Sequence, residues 1–228
     1  MRALVIQHDD DAPAGLFGEW LAARGAEQDV WLVGRESRVP DSLGYDLIVS
    51  LGSAQAAYDD AVPWMQAELT LLRGAFDADV AILGICFGSQ ILARALGGQA
   101  LRASRAEIGW VAITTRDPEF VAPGPWCQWH YDTFTPPPGA AVLAESPAGP
   151  QAFTLKRSFA VQFHPEVTPE IVGDWVADGA AQLVRAGLDG DRLLAETRNR
   201  DAENRDRAWR LFDGFWVRVA ALSGSRSR

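Results

Sequence analysis

The sequence has little lysine, cysteine or histidine. Only Lys156 among its 21 cationic residues is a lysine, and 30 acidic residues leave a net charge of −9. A surface this acidic excludes nucleic acid as the main partner, because phosphate binding needs clustered positive charge. Two cysteines, Cys86 and Cys127, are too few for a disulfide framework and point to a reduced, cytoplasmic setting. No apolar run approaches the ~18–20 residues of a membrane span. The short apolar stretch Ala3-Leu4-Val5-Ile6 after Met1-Arg2 is too brief for the core of a secretion signal. Phosphate loops, a Gly-x-Gly-x-x-Gly fingerprint and zinc-ligand spacing are also missing, so no metal and no cofactor are implied.

With 48% hydrophobic and 22% charged residues over 228 positions, the chain can bury one sizeable core and is not a disordered polymer. Its first hundred residues alternate short apolar runs with amphipathic stretches. Residues 3–8, 28–33, 46–51 and 80–85 read as buried strands. Residues 13–24, 63–76 and 87–96 read as helices, the first with Leu16, Phe17, Trp20 and Leu21 on one face. This alternation predicts an α/β fold with a mostly parallel central sheet and helices on both faces. Shorter strands at 109–115, 126–130, 141–145, 152–156 and 159–163 predict a small antiparallel extension. Thr168-Pro169-Glu170 starts a helix, and a second begins near Asp201. Its stripe of Ala208, Leu211, Phe212, Phe215, Trp216, Val219 and Ala220 either packs on its own domain, the favoured reading, or mediates a homodimer. The expected organisation is one domain over 1–222, with a core to about 167, a helical extension over 168–222 and a disordered tail over 223–228.

Gly84-Ile85-Cys86-Phe87-Gly88 lies where a strand meets a helix. This is the order of a nucleophile elbow with cysteine in the serine position. Flanking glycines permit the tight turn, and the start of a helix favours thiolate over thiol. The chain has only three histidines to serve as base: His8, His130 and His164. His164 ends an apolar strand, and Glu166 two residues on projects to the same side of an extended chain. One imidazole nitrogen can then face the carboxylate and the other Cys86, giving nucleophile, base and orienting acid.

Gly84-Ile85-Cys86-Phe87-Gly88-Ser89-Gln90 and Phe163-His164-Pro165-Glu166-Val167, 78 residues apart from Cys86 to His164, resemble the two signatures of class I (triad) glutamine amidotransferases. Glu107-Ile108-Gly109-Trp110 and Gln128-Trp129-His130-Tyr131-Asp132 resemble the stand-alone subgroup related to the amidotransferase domain of GMP synthase. The resemblance spans roughly residues 1–220 and implies a flavodoxin-like fold. It implies that Cys86, His164 and Glu166 hydrolyse the γ-amide of glutamine through a thioester and supply ammonia to a separate synthetase. Oxyanion donors would come from Phe87 and from the Gly52-Ser53 turn. Gln90, Trp129, His130 and Tyr131 would line the substrate site.

Two departures stand out. The family's usual Gly-Gly-Pro turn is Gly52-Ser53-Ala54 here, and serine resists φ > 0. The hole is therefore expected to be poorly formed at rest or completed by a partner. Tyr131 replaces a small residue, so it narrows the pocket, meets a larger γ-glutamyl substrate, or points to solvent. A γ-glutamyl peptidase is accordingly the second function, and a regulatory glutamine-binding subunit the third. Asp132 and Glu107 read as structural, Cys127 as a strand residue, Asp9-Asp10-Asp11 as a solvated turn and His8 as a strand-end residue.

Overall fold

The apolar runs become the central strands of an eight-stranded sheet. The computed structural model describes residues 1–35 and 38–221. Its strands are β1 (Arg2–Gln7), β2 (Glu27–Leu32), β3 (Leu47–Ser50), β4 (Ala81–Ile85), β5 (Gln99–Val111), β6 (Thr114–Thr115), β7 (Trp126–Thr135), β8 (Ala141–Ser146), β9 (Gly149–Leu155) and β10 (Ser158–Val161). Its helices are α1 (Gly15–Ala23), α2 (Met65–Asp77), α3 (Phe87–Ala95), α4 (Pro169–Asp178), α5 (Ala180–Arg185) and α6 (Gly190–Phe215), the last continued by a π-helical turn over Trp216–Ala220. The sheet order is β2-β1-β3-β4-β10-β9-β8-β6. The first five are parallel, and β9, β8 and β6 continue antiparallel.

Period-two alternation splits the core into two layers. Ala3, Val5, Leu47, Val49, Leu83 and Phe159 pack with α1 and α6 on one face. Leu4, Ile6, Ile48, Ile82 and Ala160 pack with α2 and α3 on the other. The stripe from Ala208 to Ala220 belongs to the first layer, so it covers the protein's own sheet, with Trp216 packed at its margin. There the Trp20 indole donates to Asp213 at 2.9 Å.

Two expectations need correction. The last long helix begins at Gly190, well before Asp201. The Asp189 side chain caps it by accepting from the Arg192 N–H at 3.1 Å. Residues in its polar half are joined by four-residue ion pairs such as Arg200–Glu196, support that apolar spacing does not register. The antiparallel region also divides. Beyond the part that extends the central sheet, β5 and β7 form their own two-stranded ribbon. Only the end of β5 was expected, because its first half is polar, exposed and interrupted by a register shift between Arg102 and Glu107. The expected disorder of 223–228 lies outside the described residues. Among the described residues no helix is long and apolar enough to cross a membrane.

Candidate active site

Order β2-β1-β3-β4 means that the chain leaves β1 toward one edge and continues from β3 toward the other. Open α/β sheets bind ligands at the carboxyl ends of strands flanking such a reversal. Here those ends carry His8 and Asp9 after β1, the Gly52 turn after β3 and Cys86 after β4.

Cys86 has φ 53° and ψ −109°, one of three non-glycine residues with positive φ among the described residues. Such a conformation persists only where surroundings enforce it. Its N–H is held by the Val161 carbonyl at 2.9 Å. A methyl group on Gly84 would lie 2.5 Å from the Gly88 carbonyl oxygen, and one on Gly88 only 1.9 Å from that of Ser50. The glycines therefore allow α3 to start against the sheet, with Cys86 at its tip.

His164 leaves the sheet after β10 and is anchored by its N–H to the Cys127 carbonyl at 2.8 Å. Its Nδ1 is 2.7 Å from Glu166 Oε1, and both side chains are buried. The Cys86 thiol itself donates to the Trp129 carbonyl oxygen at 3.9 Å. Burial disfavours the imidazolium, but the Glu166 carboxylate and Cys86 outweigh it and raise the His164 pKa to about 10. Trp175 of α4 stands edge-on to the imidazole at 4.7 Å. The loop that carries Glu166 is tied down twice: Leu16 N–H donates to the Glu166 carbonyl at 2.8 Å, and Asn204 donates to that of Val167 at 3.2 Å.

These groups open onto a cavity of about 410 Å³ lined by Cys86, Phe87, Gln90, Gly52, Ser53, Trp129, His130, Tyr131 and His164, among others. Every residue expected at the site is thus in one place, Glu166 standing behind His164. Helix α3 leaves the Phe87 N–H without an acceptor among the described residues, and the Ser53 N–H is likewise free. Neither Gly52, Ser53 nor Ala54 has positive φ, so the serine imposes no strain on the turn.

A thiol, imidazole and carboxylate in series, beside two free amide donors, can form and hydrolyse an acyl-sulfur bond. The chain matches the model of the "Glutamine amidotransferase class-I" family over residues 21–178. It belongs to the class I glutamine amidotransferase family. A "GMP synthase [glutamine-hydrolyzing]" of Thermus thermophilus is 35% identical over 173 residues, covering 70% of this chain and 33% of that protein. The chain thus spans about a third of that relative's length. The glutamine amidotransferase-like protein YfeJ of Salmonella typhimurium is 28% identical over 93% of this chain and 96% of its own. The solved glutamine amidotransferase of Methylobacillus flagellatus superposes with a TM-score of 0.88 at 26% identity, covering 100% of this chain and 98% of that one.

The details of this class I site depart from the sequence reading in several places. Tyr131 faces the cavity, and Arg102 lies over its ring at 4.9 Å. Asp132 pairs with Arg102 and Tyr58 at the cavity wall, and Glu107 is locked into a buried set with His130, Ser146 and Gln151. Burial disfavours the ionised form of Glu107, but hydrogen bonds from His130 and Ser146 prevail and lower its pKa. Cys127 is fully buried in β7, and that burial pushes its thiol pKa up.

Sequence reasoning missed Gln162. Its amide donates to Cys86 Sγ at 3.6 Å and accepts from Gln90 at 3.1 Å, joining nucleophile to pocket wall. A glutamine between Val161 and Phe163 in an apolar strand was the available signal. In the acidic turn Asp10 pairs with Arg35 and Asp9 accepts from the Ala54 N–H, and no cluster of three or more potential metal ligands occurs among the described residues. His8 is fully buried in its side chain rather than an ordinary strand end.

Proposed function

We propose that the protein hydrolyses the side-chain amide of glutamine and releases ammonia to a separate acceptor enzyme. The observation that carries this is Cys86, held at positive φ at the tip of α3 and sharing a cavity with a His164 that is itself paired with Glu166. The sulfur attacks the amide carbon as His164 takes up the thiol proton. The negative oxygen of the tetrahedral intermediate accepts from the N–H groups of Phe87 and Ser53. His164 gives its proton to the amide nitrogen, the C–N bond breaks and ammonia leaves, with a glutamyl thioester on Cys86. A water molecule, deprotonated by the same imidazole, attacks the thioester; the C–S bond breaks, the sulfur regains its proton from His164, and glutamate leaves. Gln90, Trp129, His130 and Tyr131 hold the substrate. A relative described as glutamine-hydrolysing supports this chemistry.

One feature favours a second substrate class. The cavity continues past Cys86 to Asp11, Asp178 and Gln182, and its volume of about 410 Å³ suits a drug-sized ligand rather than a single amino acid. A γ-glutamyl amide with a larger leaving amine would occupy that extension through the same thioester.

The test is intact mass after treatment with a glutamine-mimicking chloroketone, beside Cys86→Ala, with glutamate release measured from glutamine and from γ-glutamyl dipeptides. Single labelling lost in Cys86→Ala, with glutamate formed from glutamine, is expected. Turnover of dipeptides alone would select the second substrate class. Labelling absent from the native protein would overturn the glutamine site.

A further inference from the structure

The turn that supplies the Ser53 N–H is held by two consecutive residues leaving β1, His8 outside the cavity and Asp9 on its wall. His8 Nδ1 lies 3.1 Å from the Gly52 carbonyl oxygen. Asp9 Oδ2 accepts from the Ala54 N–H at 2.8 Å. Between these two tethers the Ser53 N–H has no acceptor among the described residues. A carbonyl oxygen only accepts, so His8 Nδ1 carries the proton and donates. The Gly52–Ser53 peptide is trans. In a trans peptide C=O and N–H point in opposite directions. Fixing the Gly52 oxygen on His8, which does not line the cavity, turns the Ser53 N–H the other way, and Ser53 itself lines the cavity with Cys86.

His8 is itself fixed. Its Nε2 is 2.8 Å from Glu68 Oε2, and the other carboxylate oxygen of Glu68 accepts from Ser50 Oγ at 2.7 Å. The side chains of His8 and Glu68 have no solvent exposure. Both oxygens of this buried carboxyl group are therefore engaged, and neither is left unsatisfied. The imidazole packs between Trp64, at 5.1 Å, and Phe87, at 4.8 Å. Phe87 supplies the other free N–H, so one ring touches both halves of the proposed oxyanion hole.

We propose that His8, held by Glu68, and Asp9 form a clasp that sets the orientation of the Gly52–Ser53 peptide, making them positioning residues for the oxyanion hole. This rests on the hydrolase function proposed above. It also accounts for a turn without the family's second glycine and proline: the peptide's orientation is imposed from outside by hydrogen bonds, so no left-handed residue is needed within it.

The experiment compares His8→Leu with His8→Asn in the full chain. Leucine removes both hydrogen bonds at similar size. Asparagine keeps a donor at the Nδ1 position and loses the bond to Glu68. Three quantities are read: kcat and KM for glutamine, the rate of Cys86 alkylation by iodoacetamide, and the melting temperature. Alkylation forms no tetrahedral oxyanion, so it reports the thiolate alone. His8→Leu is expected to lower kcat by about 100-fold, the scale of one lost oxyanion donor, with KM and alkylation within about 3-fold of native. His8→Asn is expected to recover at least about 10-fold of that loss.

Asp9→Ala and Asp9→Asn repeat the comparison on the other tether, with asparagine retaining an oxygen acceptor, and serve if His8→Leu fails to fold. Native kcat in both alanine and leucine variants would overturn the clasp. So would parallel losses of kcat and alkylation that the asparagine variants do not restore. Absence of glutamine or γ-glutamyl turnover in the native protein would instead overturn the hydrolase function.

Discussion

A methyl group on Gly88 is the sharpest steric test of how the nucleophile is held. Built on the existing backbone, that carbon would lie 1.9 Å from the Ser50 carbonyl oxygen and 2.5 Å from its carbon. Ordinary contact needs about 3.5 Å, so the start of α3 would have to retreat by roughly 1.5 Å. Ser50 cannot yield easily, because β3 is hydrogen-bonded to β1 on one side and β4 on the other. The retreat would stretch the bond from the Gly88 N–H to the Leu51 carbonyl, now 3.0 Å, and carry Cys86 and the Phe87 N–H away from Ser53. A misplacement near 1 Å costs on the order of 100-fold in rate. Overpacking costs about 1–3 kcal/mol, which for a chain of this size lowers Tm by roughly 2–12 °C. Gly88→Ala is therefore expected to lose about 100-fold in kcat/KM and to melt several degrees early. Gly74→Ala is the matched control: its new carbon, inside α2, would meet nothing closer than Ser42 Oγ at 3.8 Å. It should gain up to about 1 kcal/mol from helix propensity with unchanged kcat/KM. Glutamate release and differential scanning calorimetry measure both. Native activity and melting in Gly88→Ala would refute the close approach of α3 to β3 as the device that holds Cys86.

Glu166→Gln should lower the His164 pKa from about 10, because the carboxylate opposes the burial that disfavours the imidazolium; imidazole NMR titration measures it. A histidine with a raised folded-state pKa stabilises the fold most below its ordinary value of 6.5 and loses that contribution as pH rises through about 10. The Tm deficit of Glu166→Gln should accordingly shrink from neutral pH to above pH 10, and a constant deficit would contradict the pairing. Gln162→Leu removes the donor to Cys86 Sγ and strands the Gln90 amide. A hydrogen bond contributes about 0.5–1.5 kcal/mol net, so Cys86 alkylation at neutral pH should slow and KM for glutamine should rise. Iodoacetamide at neutral pH should modify Cys86 and spare Cys127, whose thiol is fully buried and held protonated by that burial; peptide mapping decides it.

Much of this protein was legible because its determining interactions are local in sequence. Continuous apolar runs marked β1, β3 and β4. Glycines around Cys86 marked the elbow, and the two-residue step from His164 to Glu166 matches their 2.7 Å contact. What stayed hidden depends on partners far apart in the chain. The first half of β5 carries little apolar pattern, because its ribbon is held by pairing with β7 about thirty residues later. The early start of α6 rests on a cap and ion pairs. Glu68 sits on α2 among apolar residues, where an acid ordinarily marks the exposed face. Its burial becomes intelligible only when His8, sixty residues earlier, and Ser50 meet it at the ends of β1 and β3. An acid on the inward face of a helix, a histidine at the exit of one parallel strand and a serine at the end of its neighbour are together a signal that a buried polar link crosses the layer. The sheet order supplies the geometry that sequence spacing alone does not. Neighbouring parallel strands end side by side, so residues sixty positions apart converge behind the same turn.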